Sequence, residues 1–99
     1  MLKLLDPLLH SQLRLSVMTL LVSVKEAEFS FIKEKINVTS GNLSVQLQKL
    51  SEAGYIQIKK RFKNNYPLTT CKITDKGIKA FEQYIEDLKE YFAAAKTTS

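Results

Sequence analysis

The spacing of apolar residues changes at Gly54, and this change limits the folds open to a chain of 99 residues. Before Gly54, apolar side chains recur every three or four residues, which is the period of an amphipathic α-helix. From Ile56 they alternate with polar residues, which is the period of a half-buried strand. Asparagine and proline at 64–67 mark a turn, and a returning strand follows to Ile73. The sequence therefore predicts one β-hairpin placed between helical segments.

Two helices are predicted before residue 37. Asp6-Pro7 combines an N-cap acceptor with a proline in the first turn, so the first helix is predicted from about Pro7 to Val24. Residues 25–28 break its apolar pattern. A short second helix is predicted from about Phe31 to Ile36, with Ser30 as its N-cap.

The third and last helices flank the hairpin. Residues 39–40, threonine and serine, supply the cap of the third helix, which ends near Gly54 because glycine readily takes the left-handed conformation that closes a helix. Thr74 caps the last helix, which is predicted over about 75–92 with its apolar positions on one stripe. The tail, residues 93–99, is expected to fray.

The net charge of +5 is concentrated in the hairpin. Residues 55–74 hold five bases and no acid, whereas residues 1–54 hold six bases and five acids and residues 75–99 hold four bases and five acids. A basic block predicts attraction to a polyanion, with DNA or RNA first and an anionic membrane surface second. A solvated, lysine-rich surface hairpin is the alternative.

The predicted order of helix, short helix, turn, helix, basic hairpin and long helix is that of a winged helix-turn-helix, in which the hairpin is the wing. The chain also resembles small winged-helix regulators of the MarR and ArsR types. The resemblance is carried by LDPLLHS and then RL in the first helix, FSFIK at 29–33, TSGNLSVQLQKL at 39–50, EAGYI at 52–56, and residues 70–77. It spans about residues 5–92 and implies a DNA-binding protein. Because proteins of this kind are mostly dimers, the resemblance also implies a dimer.

We therefore expect a mainly α fold with a small β-hairpin, organised as a single winged-helix domain over residues 1–99. Within it, the helix-turn-helix occupies about 30–53, the wing about 55–74, and a long C-terminal dimerisation helix about 75–92.

The outward face of the third helix predicts contacts in the DNA major groove, with an ordinary solvent-facing helix as the alternative. Its leucines cluster on one side, and the opposite side holds small, amide or basic residues with no acid before Glu52. Gln48 can pair with N6 and N7 of adenine, and Val45 can contact a thymine methyl. The candidate DNA-binding residues of this helix are Ser40, Gly41, Asn42, Ser44, Val45, Gln48 and Lys49.

The wing predicts phosphate contacts, because a lysine-rich surface supplies attraction that does not depend on base sequence. Lys60 lies on the inward register with Ile58 and Phe62 and is left out of the candidate set. The candidates for phosphate are Lys59, Arg61, Lys63 and Lys72, and those for the minor groove are Asn64, Asn65 and again Arg61.

The last helix and the leucine-rich N-terminus carry more apolar surface than one small core needs. A patch of that size is typical of an interface, so we expect a two-fold homodimer that binds a palindrome with half-sites ~34–36 Å apart. A last helix folded back onto its own domain is the alternative. The candidate interface residues are Leu4, Leu5, Leu8, Phe81, Tyr84, Ile85, Leu88, Tyr91 and Phe92.

The leading hypothesis is a dimeric, sequence-specific transcriptional regulator that binds double-stranded DNA. A protein-interaction module of a larger complex is the main alternative, and an RNA-binding winged helix is the third. No nucleophile–base pair or phosphate-binding loop is recognisable, so we expect a non-enzyme without cofactor or metal. A cytoplasmic protein without membrane contact is expected, and a small-molecule effector is left open.

We expect Cys71 and His10 to have structural rather than functional roles. Cys71 lies on the apolar register of a strand, which predicts a buried thiol, with a redox sensor as the alternative. His10 is expected to be a partly buried helix residue with a local hydrogen bond, with a pH or ligand sensor at the dimer seam as the alternative.

Overall fold

The computed structural model describes residues 2–97, which contain four helices and three strands. In chain order these are α1 (Gln12–Val24), β1 (Glu26–Glu28), α2 (Phe29–Ile36), α3 (Ser40–Glu52), β2 (Ile56–Lys63), β3 (Tyr66–Ile73) and α4 (Asp75–Thr97). The predicted fold class, mainly α with a hairpin between the third and last helices, is confirmed. Met1, Thr98 and Ser99 lie outside the described residues. The fraying expected for residues 98–99 therefore falls on a part of the chain that the structure does not describe.

The hairpin forms as predicted, with residues 56–63 paired antiparallel to residues 66–73. The turn consists of Asn64 and Asn65, whose φ angles are 51° and 67°. Two consecutive left-handed residues are typical of a type I′ turn, whose twist matches that of the strands it joins. Asparagine tolerates this conformation better than most residues, so the local sequence itself determines the turn.

The prediction of a simple break at 25–28 is wrong, because Glu26–Glu28 forms the short strand β1. β1 pairs antiparallel with β3, and its buried middle residue Ala27 lies opposite Cys71. The sheet order is β1-β3-β2, which makes β3 the central strand. Three residues show no period of their own, and their partner lies far along the chain, so sequence spacing does not reveal this strand.

The first helix begins at Gln12, five residues later than predicted. Asp6 does form the expected turn, since its Oδ1 accepts from the Leu8 N–H at 2.9 Å and its carbonyl accepts from the His10 N–H at 2.8 Å. Ser11 then takes an extended conformation, and its hydroxyl accepts from the Arg14 N–H, which makes Ser11 the N-cap of α1. A second good capping residue therefore restarts the helix after a single turn.

Two smaller boundary predictions also change. α2 begins at Phe29 rather than Phe31, and Glu28 occupies its N-cap position without a side-chain hydrogen bond, so Ser30 is not the cap. α4 continues to Thr97, so the expected fraying is wrong over 93–97. Thr39 does cap α3, with its hydroxyl accepting from the Asn42 N–H at 3.2 Å.

The core lies between α1, α2, α3 and the inner face of the sheet. α4 packs one side of its amphipathic surface against this core through the buried Tyr84 and a half-buried stripe that includes Ile78 and Ile85. The completely buried side chains come from the segment before α1 and from α1, α2, α3 and β3, and they are Leu9, Val17, Met18, Leu21, Ile32, Leu43, Leu50 and Cys71.

The outer half of the hairpin extends beyond this core. Ile58 is half-buried, but Lys60 and Phe62, which follow it on the same side of β2, are exposed, and Phe62 is 78% exposed. The prediction that Phe62 faces the core is wrong, because the strand alternation continues after the helices that cover it have ended. The hairpin is therefore a free-standing wing over its outer part.

The base of the wing is fixed to both neighbouring helices by four residues, Gly54, Tyr55, Thr74 and Gly77, which we term the Thr74 junction. The Thr74 hydroxyl donates to the Gly54 carbonyl at 2.6 Å and accepts from the Gly77 N–H at 3.0 Å, which confirms Thr74 as the cap of α4. The Thr74 N–H donates to the Tyr55 carbonyl at 3.0 Å. A Cβ at Gly77 would lie 2.2 Å from that same carbonyl oxygen, so only glycine fits.

We predict that Gly77→Ala destabilises the protein by about 1–3 kcal/mol, because the backbone of the junction must shift to admit the methyl group. Gly41→Ala is the matched control: a Cβ at Gly41 meets nothing within 4 Å, and alanine in an exposed helix is more favourable than glycine by up to about 1 kcal/mol. Urea unfolding of both variants measures the difference. Equal stability of the two variants would contradict the junction as described.

Candidate nucleic-acid interface

The sequence-predicted contact face of α3 is fully presented to solvent. All seven candidates on this helix, from Ser40 to Lys49, are exposed, whereas Leu43 and Leu50 are completely buried and Leu47 is 2% exposed. The three leucines thus fix the rotation of the helix about its own axis. The helical period of the sequence determines this side of the site, which is why it could be predicted residue by residue.

The N-terminal turn of α3 favours an anion. It contains no acidic residue, and its free backbone N–H groups carry the positive end of the helix dipole. The acid at the other end, Glu52, is held by Gln48, whose Nε2 donates to Glu52 Oε1 at 3.3 Å. This bond is long and exposed, so a base edge in the groove can replace it.

The tip of the wing is entirely exposed. Residues 59–67 have no buried member, and the predicted tip residues Lys63, Asn64 and Asn65 stand at the end of the hairpin. Both asparagine side chains are short and polar, and Lys63 beside them carries a positive charge.

Three candidate bases of the wing do not face α3. Lys59, Arg61 and Lys63 alternate with Ile58 and Lys60 along β2, so they lie on the sheet face turned away from α3. β1 contributes two acids to that same face, Glu26 and Glu28, which lie opposite Lys72 and Thr70 on β3.

One of these acids contacts a candidate base. Arg61 Nη2 lies 3.9 Å from Glu26 Oε1, and both side chains are about half exposed, at 58% and 42%. A pair this open and this long stabilises the fold very little. Its consequence is electrostatic: the block that is free of acids in the sequence is partly neutralised in three dimensions.

Lys60, which is not among the predicted DNA-binding residues, faces the cleft between α3 and the wing. This open cleft of about 720 Å³ is lined by Ser40, Ser44 and Gln48 from α3 and by Lys60 and Thr69 from the sheet. Beyond the core, the side chains on the inward register of β2 point into the cleft. The exposed cation of Lys60 therefore lies beside the predicted contact face of α3.

Lys72 is separated from the other candidates. It pairs with Gln57 at the base of the hairpin and with Glu26 of β1, on the face turned away from α3. Six residues of extended strand, about 20 Å, separate it from Tyr66 at the tip. The structure therefore does not bring Lys72 together with α3 or with the tip.

The candidate dimer residues fall into three groups. Leu4 and Phe92 are 94% and 67% exposed. The hydroxyl of Tyr91 donates to the Lys3 carbonyl at 2.7 Å, which brings the N-terminal segment beside the end of α4. The half-buried group consists of Leu5, Leu8, Phe81, Ile85, Leu88 and Tyr91.

Tyr84 forms the third group, because it is 4% exposed and packs inside its own chain. Its hydroxyl lies 3.1 Å from His10 Nδ1. His10 is exposed and precedes α1, so the expectation of a partly buried helix residue with a local partner is wrong. The reason is again the late start of α1, which leaves residues 7–10 free to approach α4.

Two hydrogen-bonded pairs near the start of α1 were not predicted from the sequence. The Tyr55 hydroxyl donates to Asp6 Oδ2 at 2.6 Å, and Arg14 donates to Gln46 Oε1 on α3 at 2.6 Å. Burial, together with the bond to Asp6, raises the pKa of Tyr55 to about 12. For Arg14 and Gln46 the sequence signal is a polar residue between the apolar stripe and the outer face of a helix, which does not identify the partner, and Asp6 and Tyr55 lie outside the helices and strands.

The chain belongs to the family of winged helix DNA-binding domains, because the sequence model of that family matches residues 13–92. The recognition of a small winged-helix regulator of MarR-like type is confirmed by this match and by transcriptional regulators among the structures with the same fold. The family is one of DNA-binding domains, and the two structures with the same fold are a transcriptional regulator homologue and a transcriptional regulator.

Three similar proteins show the extent of the match. MJ0432 of Methanocaldococcus jannaschii, itself uncharacterised, is 39% identical over 79 residues, which are 80% of this chain and 86% of that protein. A transcriptional regulator homologue from Pyrococcus horikoshii OT3 superposes with a TM-score of 0.84 at 27% identity, over 89% of this chain and 87% of the other. YusO from Bacillus subtilis shares the fold, with a TM-score of 0.78 at 19% identity over 96% of this chain and 63% of its own.

None of the helices within residues 2–97 has the length and apolar character needed to cross a membrane.

Cys71 is fully buried, as predicted, and burial raises the pKa of its thiol to about 11. We predict that iodoacetamide labels Cys71 in the native protein far more slowly than in the urea-unfolded chain at the same mildly alkaline pH. The raised pKa alone lowers the thiolate fraction roughly a hundredfold, and the packing adds to this protection. Mass spectrometry of both samples provides the comparison, and rapid native labelling would support the redox alternative.

Proposed function

We propose that the protein is a sequence-specific regulator of transcription that binds double-stranded DNA as a homodimer. α3 lies in the major groove, and the wing follows the phosphate backbone with its tip at the minor groove. The observation that carries this proposal is the exposed, acid-free outer face of α3 from Ser40 to Lys49, next to a cleft that contains Lys60. A cytoplasmic location follows from this partner.

The dimensions of α3 suit the major groove. A helix of 13 residues is about 20 Å long, and the groove is about 12 Å wide, so the exposed turns of one helix can reach several base pairs. Gly41 and Ser44 allow close approach. Gln48 donates to and accepts from adenine, Val45 packs on a thymine methyl, and Ser40 with the free N–H groups of the first turn binds a phosphate.

The cleft beside α3 is suited to one strand of the DNA backbone. Its walls are the outer face of α3 and the inner register of β2, and Lys60 supplies the positive charge. Lys49 lies at the opposite end of the same helix face. A backbone in this position has phosphates close to Lys60, while Lys63 and Asn64 reach past it at the tip.

The dimer is supported by the apolar surface left uncovered at one end of the molecule. Leu2, Leu4 and Phe92 are exposed there, close to the bond between Tyr91 and the Lys3 carbonyl. The molecule is also elongated, with extents of 60, 25 and 20 Å. Two-fold pairing through α4 and the N-terminal segment covers this surface and places two copies of α3 on one face of a palindrome.

We predict that Lys60→Glu and Lys63→Glu each weaken binding to every duplex and flatten the salt dependence. Each lost phosphate contact reduces the slope of log K against log salt concentration by about 0.9. Lys72→Glu is the matched control, because it changes the net charge equally but lies far from both α3 and the tip. Fluorescence anisotropy with labelled duplexes at several salt concentrations measures all three variants.

Equal losses in the three variants would show that binding is only long-range attraction and would overturn the proposed groove geometry. Absence of wild-type binding to any duplex at low salt would overturn DNA binding itself. Gln48→Ala provides a separate test of base reading, because it should change the preferred sequence while leaving the salt slope unchanged.

We predict that the wild-type protein sediments with twice the mass of one chain and that Phe92→Glu makes it monomeric. A charge at this exposed position disrupts an apolar interface without entering the core. Phe62→Glu is the control, because Phe62 is equally large and 78% exposed but lies on the wing. Analytical ultracentrifugation over a range of concentrations decides the outcome, and a wild-type monomer at all of them refutes the dimer.

A further inference from the structure

A hydrogen-bonded chain of three side chains joins the start of α1 to the outer face of α3. Arg14 Nη1 donates to Gln46 Oε1 at 2.6 Å, and Gln46 Nε2 donates to Asn42 Oδ1 at 3.0 Å. Arg14 is itself held, because its Nε donates to the Leu8 carbonyl at 2.5 Å. We term this chain the Arg14 relay.

The chemistry of arginine fixes the direction of the relay. A guanidinium has donors and no acceptor, so the group that Gln46 turns toward Arg14 must be its carbonyl oxygen. The amide nitrogen of Gln46 then faces Asn42, which must present its own oxygen in return. The Nδ2 of Asn42 is left as a donor on the exposed face of α3, and no atom of residues 2–97 accepts from it.

The relay is well placed to hold this direction. Arg14 and Gln46 are both partly buried, and a short bond from a charged donor is stronger than a neutral one. The backbone under Asn42 is also fixed, since its N–H donates to the Thr39 hydroxyl that caps α3. Turning the Asn42 amide by half a revolution would set two donors against each other at Gln46.

We propose that Arg14 acts through Gln46 to make Asn42 a hydrogen-bond donor toward DNA, and that this sets the base that Asn42 prefers. A free asparagine favours adenine, which it contacts with both its oxygen and its nitrogen. An asparagine whose oxygen is engaged can only donate, so it loses the contact with adenine N6 and favours guanine, which presents two acceptors at N7 and O6, while N7 of adenine and O4 of thymine each offer one. Arg14 is a positioning residue that does not touch DNA. The inference rests on the proposed placement of α3 in the major groove.

The test is selection of bound duplexes from a random-sequence pool, followed by sequencing. Asn42→Ala identifies the base pair that Asn42 contacts, where preference should fall roughly tenfold. Gln46→Glu keeps an acceptor for Arg14 but cannot donate to Asn42. The Asn42 amide then turns, its oxygen faces the groove, and the preferred base changes to cytosine, whose polar group in the major groove is the N4 donor.

Two substitutions of Arg14 itself complete the design. Arg14→Lys keeps a side chain that only donates, so it should retain the wild-type motif. Arg14→Gln can donate or accept, so it should lose preference at the Asn42 base pair alone. In the Asn42→Ala background, Arg14→Gln should change nothing further in the selected motif.

Salt dependence separates positioning from direct contact. Arg14→Gln should leave the slope of log K against log salt at the wild-type value, whereas a slope flattened by about 0.9 would mean that Arg14 binds a phosphate and would overturn the proposal. Gln46→Glu and Arg14→Lys carry the test by themselves if thermal unfolding shows that Arg14→Gln does not fold.

The outcomes distinguish this inference from the function on which it rests. A wild-type protein that selects no sequence contradicts the proposed function, and the inference falls with it. A wild-type protein that selects a motif which Gln46→Glu and Arg14→Gln leave unchanged contradicts the relay alone.

Discussion

The packing of Gly77 against the Tyr55 carbonyl is the contact on which the geometry of the molecule depends. A side chain at this position would push the start of α4 away from the Tyr55 carbonyl and would strain the hydrogen bonds of Thr74 to Gly54 and Tyr55. Because the wing begins and ends at this junction, its base is fixed relative to both helices. The angle between wing and α3, and with it the cleft beside Lys60, follows from a contact that is remote from the cleft itself.

Local sequence was enough to predict the order of the four helices and of the two hairpin strands, together with many of their boundaries. The type I′ turn, the Thr74 cap and the rotation of α3 each depend on residues close together in the chain. The predictions that are wrong involve competition or distance. Ser11 competes with Asp6 for the start of α1, and β1 exists only because β3, far along the chain, supplies its partner.

The same distinction between local and long-range determinants applies to the candidate site. The exposure of the candidate residues on α3 could be predicted because a helical period assigns every residue to a side. Strand alternation likewise assigns the wing residues to two faces. It does not determine which face of the sheet is turned toward α3, or which other element contributes charged residues to each face. Glu26 and Glu28 therefore appear beside the basic wing, Lys60 faces the cleft, and the pairing of Arg14 with Gln46 shows only in three dimensions.

The position of β2 at the edge of the sheet has a consequence for solubility. One side of this eight-residue strand has no neighbouring strand within the described part of the chain, so its backbone groups offer a template for a strand of another molecule. Four of its last five residues are lysine or arginine, and two such edges repel each other. The positive charge that we assign to DNA binding thus also protects the protein from aggregation through its own sheet, which restricts how far these residues can change.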